Sequence, residues 1–555
     1  MSLNLSKSLL GTVVSYVVYL VVKAVHSQLT SPLRNLPGPP TAHWFYGNTQ
    51  ELVKDQFSGL IEHWVQQYGH TFRIHRILGK YDLLTIDTKA IHHFITNTHI
   101  YQKSEMMRED LSRIVGPGLL VVENEDHRRQ VDNIPFTFFG PVVDVSKQRK
   151  IMNPAFGRNE VRALTDIFVH KSIELRDIWV RQAARCGGVA RVEALSMLSK
   201  TSLDIIGLAG FNYDIHALEA DEHASPDELI EAFERLCSLQ TGISISRIIR
   251  RQFPILRHIP TKADRIAKES QAQMMRIGRR ILEDSKREAE EGGTFETGRG
   301  RDLLSLLVRA NTSKDVSASQ RLSEEDVLAQ VPTFLVAGHE TTSTALTWAL
   351  FALTQNTAAQ TRLREELLTV STDQPTLDEL DNLPYMDCVV RETLRMHSPV
   401  TDINRIALQD DVVPLETPFI DRNGVVRQTL QIKKGQLIFI PITPLNRDAA
   451  IWGADAMEFK PERWAGAAPI STPIPGVYSH MLTFIGGPRN CIGFRFALAE
   501  MKALLFTLVR AFEFELAVPR AEIGQKDTGI VIRPMLLSQP EAGNQLPLLV
   551  KPVTA

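Results

Sequence analysis

The sequence predicts a mainly α-helical fold with a minor β region, arranged as one large domain behind an N-terminal membrane helix. Three long stretches, 326–353, 383–400 and 494–512, carry apolar residues at helical spacing. The chain also opens on a nearly unbroken apolar run. Motifs that carry chemistry are spread over most of the chain. This spread favours one large domain over the several that length alone would suggest.

The composition is that of an ordinary globular protein, with 43% hydrophobic and 23% charged residues in a chain of 555. Lys and Arg total 62 against 64 Asp and Glu, so no overall charge favours a nucleic-acid partner. The cysteines, Cys186, Cys237, Cys388 and Cys491, form no C-x-x-C pair, which argues against zinc and dithiol chemistry. Sparse cysteines fit a reducing compartment. We interpret the first three as small buried apolar residues.

Residues 1–28 are predicted to form a membrane anchor. Leu9–Val25, with the apolar residues before it, reaches the ~20 residues that a helix needs to cross a bilayer. A removed signal peptide is the weaker interpretation because no small-x-small cleavage pattern follows, and a buried core helix is the other alternative. Residues 29–40 include L-P-G-P-P and predict a stiff hinge. Lys23 and Arg34 on that side favour a cytosolic catalytic domain.

A glycine-rich loop, F-I-G-G-P-R-N-C-I-G, surrounds the fourth cysteine near the C-terminus. Its glycines permit a tight bulge and close approach to a flat ligand. A helical stretch follows, so the sulfur would lie at a helix N-terminus, where peptide dipoles favour a thiolate. The segment resembles the cysteine loop of cytochrome P-450 enzymes at every defined position: Phe484, Gly487, Arg489, Cys491 and Gly493. The resemblance implies that Cys491 is the axial ligand of a haem iron; a glycine-rich loop with an incidental cysteine is the alternative.

A second motif, A-G-H-E-T-T, places polar residues within a long apolar helix. A buried acid beside a hydroxyl costs several kcal/mol unless it is paired, so its presence indicates use. The segment resembles the oxygen-activating helix of the same family. The resemblance implies that Gly338 makes room for dioxygen and that Thr341, with Glu340, relays protons. We interpret His339 as structural, and a satisfied polar patch remains the alternative.

A third motif is E-x-x-R at Glu392 and Arg395, followed by P-E-R-W at 461–464. Residues three apart share a helix face, so an ion pair is plausible, although most such pairs belong to solvated faces. The resemblance implies that Glu392, Arg395 and Arg463 form a buried triad that serves folding rather than chemistry.

Cationic side chains are needed to hold the haem propionates. The resemblance assigns Arg489 and Arg405 to this role, together with a pair formed by His127 and an arginine four residues later. Val131 stands at that position instead, and Arg149 reaches it only if Val131–Gln148 is removed.

We interpret residues 131–148 as a translated, unspliced intron. The stretch contains Pro135, Gly140 and Pro141, which break helices. Valine codons begin with GT and one glutamine codon ends in AG, so both ends are compatible with splice signals. A genuine surface insertion is the alternative, and it would weaken haem retention.

The resemblance, which covers about 36–534, implies a haem b monooxygenase domain over residues 41–555. It would insert one atom of O2 into a small hydrophobic substrate by hydroxylation or epoxidation. Substrate contacts are implied at mainly apolar segments: Ser104–Leu120, Phe334–Ala337, Val400–Ile403 and Thr528–Val531. The chain looks like fungal microsomal members, which favours secondary metabolism or xenobiotic oxidation. Rival interpretations are an O2-independent haem-thiolate isomerase or dehydratase and, if the insertion is genuine, a haem-less inactive protein.

Electrons must come from a separate protein, because the chain carries no flavin or nicotinamide fingerprint. The resemblance implies NADPH-cytochrome P-450 reductase, in some members assisted by cytochrome b5. It also implies a single-pass protein of the endoplasmic reticulum membrane with its catalytic domain in the cytosol. Docking is expected at a basic patch, although a solvated charged face is an equal alternative. The candidates are Arg128, Arg129, Lys147, Arg149 and Lys150.

Overall fold

The computed structural model describes parts of 15–30 and then 31–54, 59–123, 145–219, 228–237, 261–290, 302–312, 321–466 and 473–553. The helices are α1 (Thr49–Lys54), α2 (Gly59–Tyr68), α3 (Thr88–Thr96), α4 (Glu105–Val115), α5 (Val145–Met152), α6 (Arg158–Arg185), α7 (Ala194–Phe211), α8 (Glu228–Cys237), α9 (Lys262–Glu290), α10 (Leu303–Thr312), α11 (Glu324–Leu328), α12 (Gln330–Gln355), α13 (Thr357–Leu367), α14 (Leu377–Asp381), α15 (Pro384–Met396), α16 (Ile442–Asn446), α17 (Ala449–Trp452) and α18 (Phe494–Ala511).

The strands are β1 (Thr71–His75), β2 (Tyr81–Thr85), β3 (Tyr101–Gln102), β4 (Ala190–Glu193), β5 (Asp402–Ala407), β6 (Asp411–Ile420), β7 (Val426–Ile432), β8 (Leu437–Pro441), β9 (Phe512–Leu516), β10 (Ile523–Asp527), β11 (Ile532–Leu536) and β12 (Pro547–Pro552). Helices therefore predominate and the strands are short. The predicted mainly helical fold with a minor β region is confirmed.

The predicted anchor, residues 1–28, lies mostly outside the described residues. Within the ranges that the structure describes, no helix is both long enough and apolar enough to span a bilayer.

One compact unit combines three separate stretches, Met1–Ser104, Thr401–Met457 and Ile470–Asn490. Its main sheet has the strand order β1-β2-β8-β5-β3, with β2 and β8 parallel and the other neighbours antiparallel. Phe72 and Ile438 of this sheet are fully buried and, by the strand register, lie on opposite faces, so both faces of the sheet are covered. Strands β6 and β7 form a separate antiparallel hairpin.

The other compact unit also combines distant stretches, Glu105–Val400, Glu458–Pro469 and Cys491–Ala555. Helix α12 is apolar on almost every side and packs against α7 and α18, as expected for a helix at the centre of a helical core. A sheet with the order β4-β12-β9 and a hairpin of β10 and β11 complete the unit.

The boundaries of the elements near the motifs follow from local sequence. Helix α15 begins with Pro384 in its first turn, where the missing N–H costs nothing. Helix α7 is capped by the Glu193 carboxylate, which accepts the backbone N–H groups of Leu195 and Ser196. It ends at Asn212, which adopts the left-handed conformation that asparagine tolerates (φ 51°).

One cysteine prediction is wrong. Cys186, expected to be buried, is exposed, because it caps the solvent-facing C-terminus of α6 and is followed by two glycines. Cys388 is buried on α15, as expected.

Candidate active site

Cys491 lies three residues before Phe494, the first residue of α18. The backbone N–H of Gly493 hydrogen-bonds to its sulfur, and the positive charge of Arg149 lies close enough to act on it. Desolvation outweighs both effects and raises the pKa of the Cys491 thiol to about 11. A metal ion that binds this sulfur displaces the proton, and the same N–H and guanidinium then stabilise the thiolate.

Phe156 lies between the central helix and Gly493 of the cysteine loop. Its ring packs edge-on against Phe334 of α12, with ring centroids 5.5 Å apart. A Cβ on Gly493 would lie 3.8 Å from the same ring, in ordinary contact. An aromatic pair therefore lies beside Gly493 of the cysteine loop, and Phe334 begins the 334–337 segment to which the sequence assigns substrate contacts.

Helix α12 carries one stripe of residues that is less buried than its other faces. Every residue from Gln330 to Leu353 is buried except Ala337, Gly338 and Thr341. The Thr341 hydroxyl donates to the Ala337 carbonyl at 2.7 Å. These three positions lie within about one turn of each other, so together they form a small surface that carries a hydroxyl. The other faces of the helix are packed.

Glu340 faces away from that hydroxyl. Its Oε2 forms an ion pair with Arg533 of β11 at 2.5 Å, and its Oε1 lies 3.8 Å from Nε2 of His339. His339 Nε2 is 3.0 Å from the Ser199 hydroxyl of α7. Burial lowers the pKa of His339 to about 4, only partly offset by Glu340, so the imidazole is neutral near pH 7. The structural interpretation of His339 thus corresponds to a hydrogen bond between α7 and α12.

Gly338 allows a close approach of two helices. A Cβ at this position would lie 2.9 Å from Cδ1 and 3.0 Å from Cγ1 of Ile206 on α7. The glycine therefore has a packing role in addition to the oxygen-binding role implied by the resemblance.

The E-x-x-R and P-E-R-W motifs meet at one buried carboxylate. Arg395 donates to both oxygens of Glu392 at 2.8 and 2.9 Å, and Arg463 Nε lies 3.5 Å from Oε1. Two further donors are the Trp464 indole, at 3.0 Å, and the Lys460 backbone N–H, at 2.9 Å. The structure thus brings Glu392, Arg395 and Arg463 together, and it adds Trp464, which the sequence did not single out.

The remaining predicted haem contacts belong to the other unit. Arg405 is 3% exposed and donates to the Asn404 carbonyl at 2.8 Å. Arg489 donates to the carbonyls of Tyr101 and Thr98, both at 3.3 Å. Phe484 is buried with its ring edge-on to that of Tyr478.

Gly487 satisfies a backbone requirement in that loop. Its φ is +69°, and a Cβ would lie 2.7 Å from the Ile95 carbonyl oxygen. Only glycine fits both constraints, as the sequence predicted for a tight bulge.

Some predicted residues are not described. His127, Arg128 and Arg129 lie outside the described residues, as does the Lys147 side chain. Arg149 is half-buried and acts electrostatically on Cys491, while Lys150 next to it is exposed. Of the predicted docking residues, Lys150 is therefore the one whose side chain the structure describes as exposed.

Ser199 and Arg533 are site residues that sequence reasoning missed. Neither belongs to a motif, and each is far along the chain from the residue that it contacts. A sequence motif relates residues that are close together in the chain, so no motif could have identified these two.

A family model described as cytochrome P450 matches residues 37–539. The chain belongs to the cytochrome P450 family. Two proteins of Postia placenta are each 46% identical to it: cytochrome P450 monooxygenase 205, over 94% of this chain and 93% of the relative, and cytochrome P450 monooxygenase 128, over 98% and 96%. Cytochrome P450 monooxygenase claQ of Ampulloclitocybe clavipes is 35% identical over 94% of each chain. These relatives identify the chain as a P450 monooxygenase, and the family implies haem.

The residues of this P450 fit a haem. Cys491 supplies one sulfur ligand with a hydrogen-bond donor and a cation beside it, which suits a thiolate bound to iron. Arg149, Arg405 and Arg489 each carry a guanidinium, a group that binds carboxylates.

Proposed function

We propose that this P450 inserts one atom of O2 into a C–H or C=C bond of a small hydrophobic molecule. The observation that carries the proposal is the stripe of Ala337, Gly338 and Thr341 on a helix that is otherwise buried from Gln330 to Leu353. When bound through a thiolate, haem supplies oxygen activation by pushing electron density that promotes O–O cleavage. The protein supplies the ligand, the orientation and the protons.

Cys491 is proposed as the iron ligand, with Gly493 N–H and Arg149 stabilising its negative charge. Arg149, Arg405 and Arg489 are proposed to bind the propionates, with His127 as a fourth donor. Ligand and propionate contacts together would fix the ring's orientation.

Proton transfer is proposed to involve Thr341 and Glu340. The Thr341 hydroxyl already lies on the less buried stripe, where it can donate a proton to a bound molecule. Glu340, held by Arg533, must turn from β11 before it can return a proton to Thr341.

The substrate is proposed to be fatty, terpenoid or polyketide-like. Phe334 and Phe156 provide apolar surface beside the stripe, and an apolar lining with few polar groups suits such molecules. Because the relatives described above are fungal monooxygenases, we propose a role in secondary metabolism or xenobiotic oxidation.

We further propose that NADPH-cytochrome P450 reductase supplies the electrons, with cytochrome b5 as a second donor. Residues 1–28 are proposed to anchor the enzyme in the endoplasmic reticulum membrane with its catalytic part in the cytosol. Support for an anchor comes from the apolar run Leu9–Val25 and from the exposure of the described side chains Val18 and Val22, at 55% and 60%.

The first test is the carbon monoxide difference spectrum of the reduced full chain. A strongly red-shifted Soret band is expected and should be lost in Cys491→Ser. A panel of fatty, terpenoid and polyketide-like compounds with isotopically labelled O2 should then give a product that carries one labelled oxygen atom.

Thr341→Ala should retain the band but lower turnover by ~100-fold, the usual scale of a lost proton-transfer group. Thr354→Ala is a matched control, because Thr354 forms the same kind of hydroxyl-to-carbonyl bond near the end of α12. A product that lacks the labelled atom would overturn the monooxygenase proposal and support the isomerase alternative.

A further inference from the structure

A charged pair ties the central helix to a strand from near the C-terminus. Glu340 of α12 and Arg533 of β11 are 2.5 Å apart at their closest atoms, and their side chains are only 10% and 15% exposed. A pair so sheltered from water is screened much less than a surface ion pair. Its two members therefore influence each other's charge strongly.

The backbone beneath Arg533 is fixed by the same helix. The Trp348 indole, two turns after Glu340, donates to the Ile532 carbonyl at 2.9 Å. The Ile532 N–H donates to the Pro399 carbonyl at 3.0 Å. Because neighbouring Ile532 is held on both sides, Arg533 projects from a rigid base and cannot readily follow Glu340 if that side chain turns.

Two other titratable groups face this pair. Glu193, the N-cap of α7, lies within electrostatic reach of Arg533, but its oxygens accept the backbone N–H groups of Leu195, Ser196 and Leu546. His339 is neutral and is hydrogen-bonded to Ser199. Of these groups, Arg533 is the cation in direct contact with the Glu340 carboxylate.

We propose that Arg533 is a positioning residue that holds the Glu340 carboxylate toward β11 and thereby controls its proton exchange with Thr341. A buried carboxylate that loses its cation takes up a proton rather than bear the cost of an uncompensated charge. An arginine that holds the carboxylate therefore sets both its charge and its direction. This inference rests on the proposed relay through Glu340.

Infrared spectroscopy of the haem-loaded full chain tests whether Arg533 controls the state of the Glu340 carboxyl group. The measurement does not require turnover. Arg533→Gln should show a new band of a protonated carboxylic acid, and the band should disappear in Arg533→Gln with Glu340→Gln. Arg533→Lys, which keeps the charge, should not show it. Lys526→Gln is the matched control, because Lys526 is the register partner of Arg533 on β10. A spectrum of Arg533→Gln identical to that of the wild type overturns the proposal.

The second readout is the fate of O2 when NADPH and a fungal P450 reductase are supplied without organic substrate. One NADPH reduces O2 to hydrogen peroxide, whereas two NADPH and further protons reduce it to water. NADPH consumed in excess of peroxide therefore measures water formation. This rate should fall by ~10- to 100-fold in Arg533→Gln, the scale of a misplaced catalytic group, and recover in Arg533→Lys.

The variants separate the two proposals. If Glu340→Gln lowers water formation but Arg533→Gln does not, the relay stands and the role of Arg533 is overturned. If Glu340→Gln itself has no effect, the relay is overturned, and with it the control that we assign to Arg533.

Discussion

Glu500 is a buried acid outside the motifs whose protonation is altered by folding. It belongs to α18 and is 1% exposed, and its Oε1 accepts the Ser202 hydroxyl at 2.5 Å. Its Oε2 has no hydrogen-bond partner among the described residues. Burial raises the pKa of Glu500 to about 8, with only a small opposing effect from Ser202.

This acid makes stability depend on pH. Between its usual pKa of 4.5 and the folded value of about 8, the unfolded chain releases a proton that the folded chain keeps. Stability must therefore fall as pH rises through that range. Glu500→Gln should remove this loss, so the variant should melt at a higher temperature than the wild type at pH 8 and at a similar temperature below pH 4.5.

Thermal unfolding at the two pH values checks the prediction. Glu513→Gln serves as a control, because that carboxylate is 47% exposed in a surface pair with Lys551. A Glu500→Gln variant that is destabilised equally at both pH values would contradict the assignment.

A second prediction concerns Glu392. Replacing it with Gln leaves the buried Arg395 and Arg463 without a counter-charge, which costs ~3–5 kcal/mol. We expect a lower urea midpoint and a lower yield of haem-loaded protein. Arg158→Gln removes one member of the exposed ion pair with Asp381, and it should change the free energy of unfolding by less than ~0.5 kcal/mol. Normal folding of Glu392→Gln with loss of activity alone would instead assign Glu392 to the chemistry.

At the scale of elements, the contact of α7 with α12 determines what the central helix can tolerate. Gly338 meets Ile206 of α7, and about two turns earlier on α7 Ser199 meets His339. The two helices are therefore joined by a glycine contact and a hydrogen bond at adjacent positions of α12.

Gly338→Ala should destabilise the protein by ~1–3 kcal/mol, because the added methyl group overpacks this contact. Ile206→Ala removes both close atoms, so the same glycine substitution should cost less in that background. Urea unfolding of the wild type, the two single variants and the double variant gives the coupling energy between the two positions directly. Equal costs in the two backgrounds would show that Ile206 is not the obstacle.

The elements that the sequence predicted are those with local signals. Helices α12, α15 and α18 follow from apolar spacing, and Pro384 marks the start of α15. The pairs Glu340–Arg533 and Ser202–Glu500 could not be predicted, because they join positions far apart in the chain and have no sequence pattern. The Glu392 cluster was foreseen only through family resemblance, since an E-x-x-R spacing alone does not distinguish a buried triad from a solvated face.

At the scale of the whole molecule, residues 131–148 remain the main open prediction. Their last residues, from Val145, belong to α5, and Gln148 is buried. Residues 131–144 lie outside the described residues. In the structure, residues 145–148 and Arg149 therefore belong to one continuous helix.

Deleting 131–148 should strengthen the carbon monoxide band if the stretch is a translated intron, because Arg149 would then follow His127 by one helical turn. Spectra of both forms at equal protein concentration test this, together with sequencing of the transcript. A full-length form with a complete band, and a deletion form without one, would establish a genuine insertion.

The position of β12 affects how the protein is made. Strand β12 lies between β4 and β9, and the Leu546 N–H just before it donates to Glu193, the cap of α7. Strand β12 follows β4 by more than half the length of the sequence, so β4 and α7 must wait for that much synthesis before their partners exist. Until β12 pairs with them, the edges of β4 and β9 are open to pairing with other chains, which makes the unfinished protein prone to aggregation.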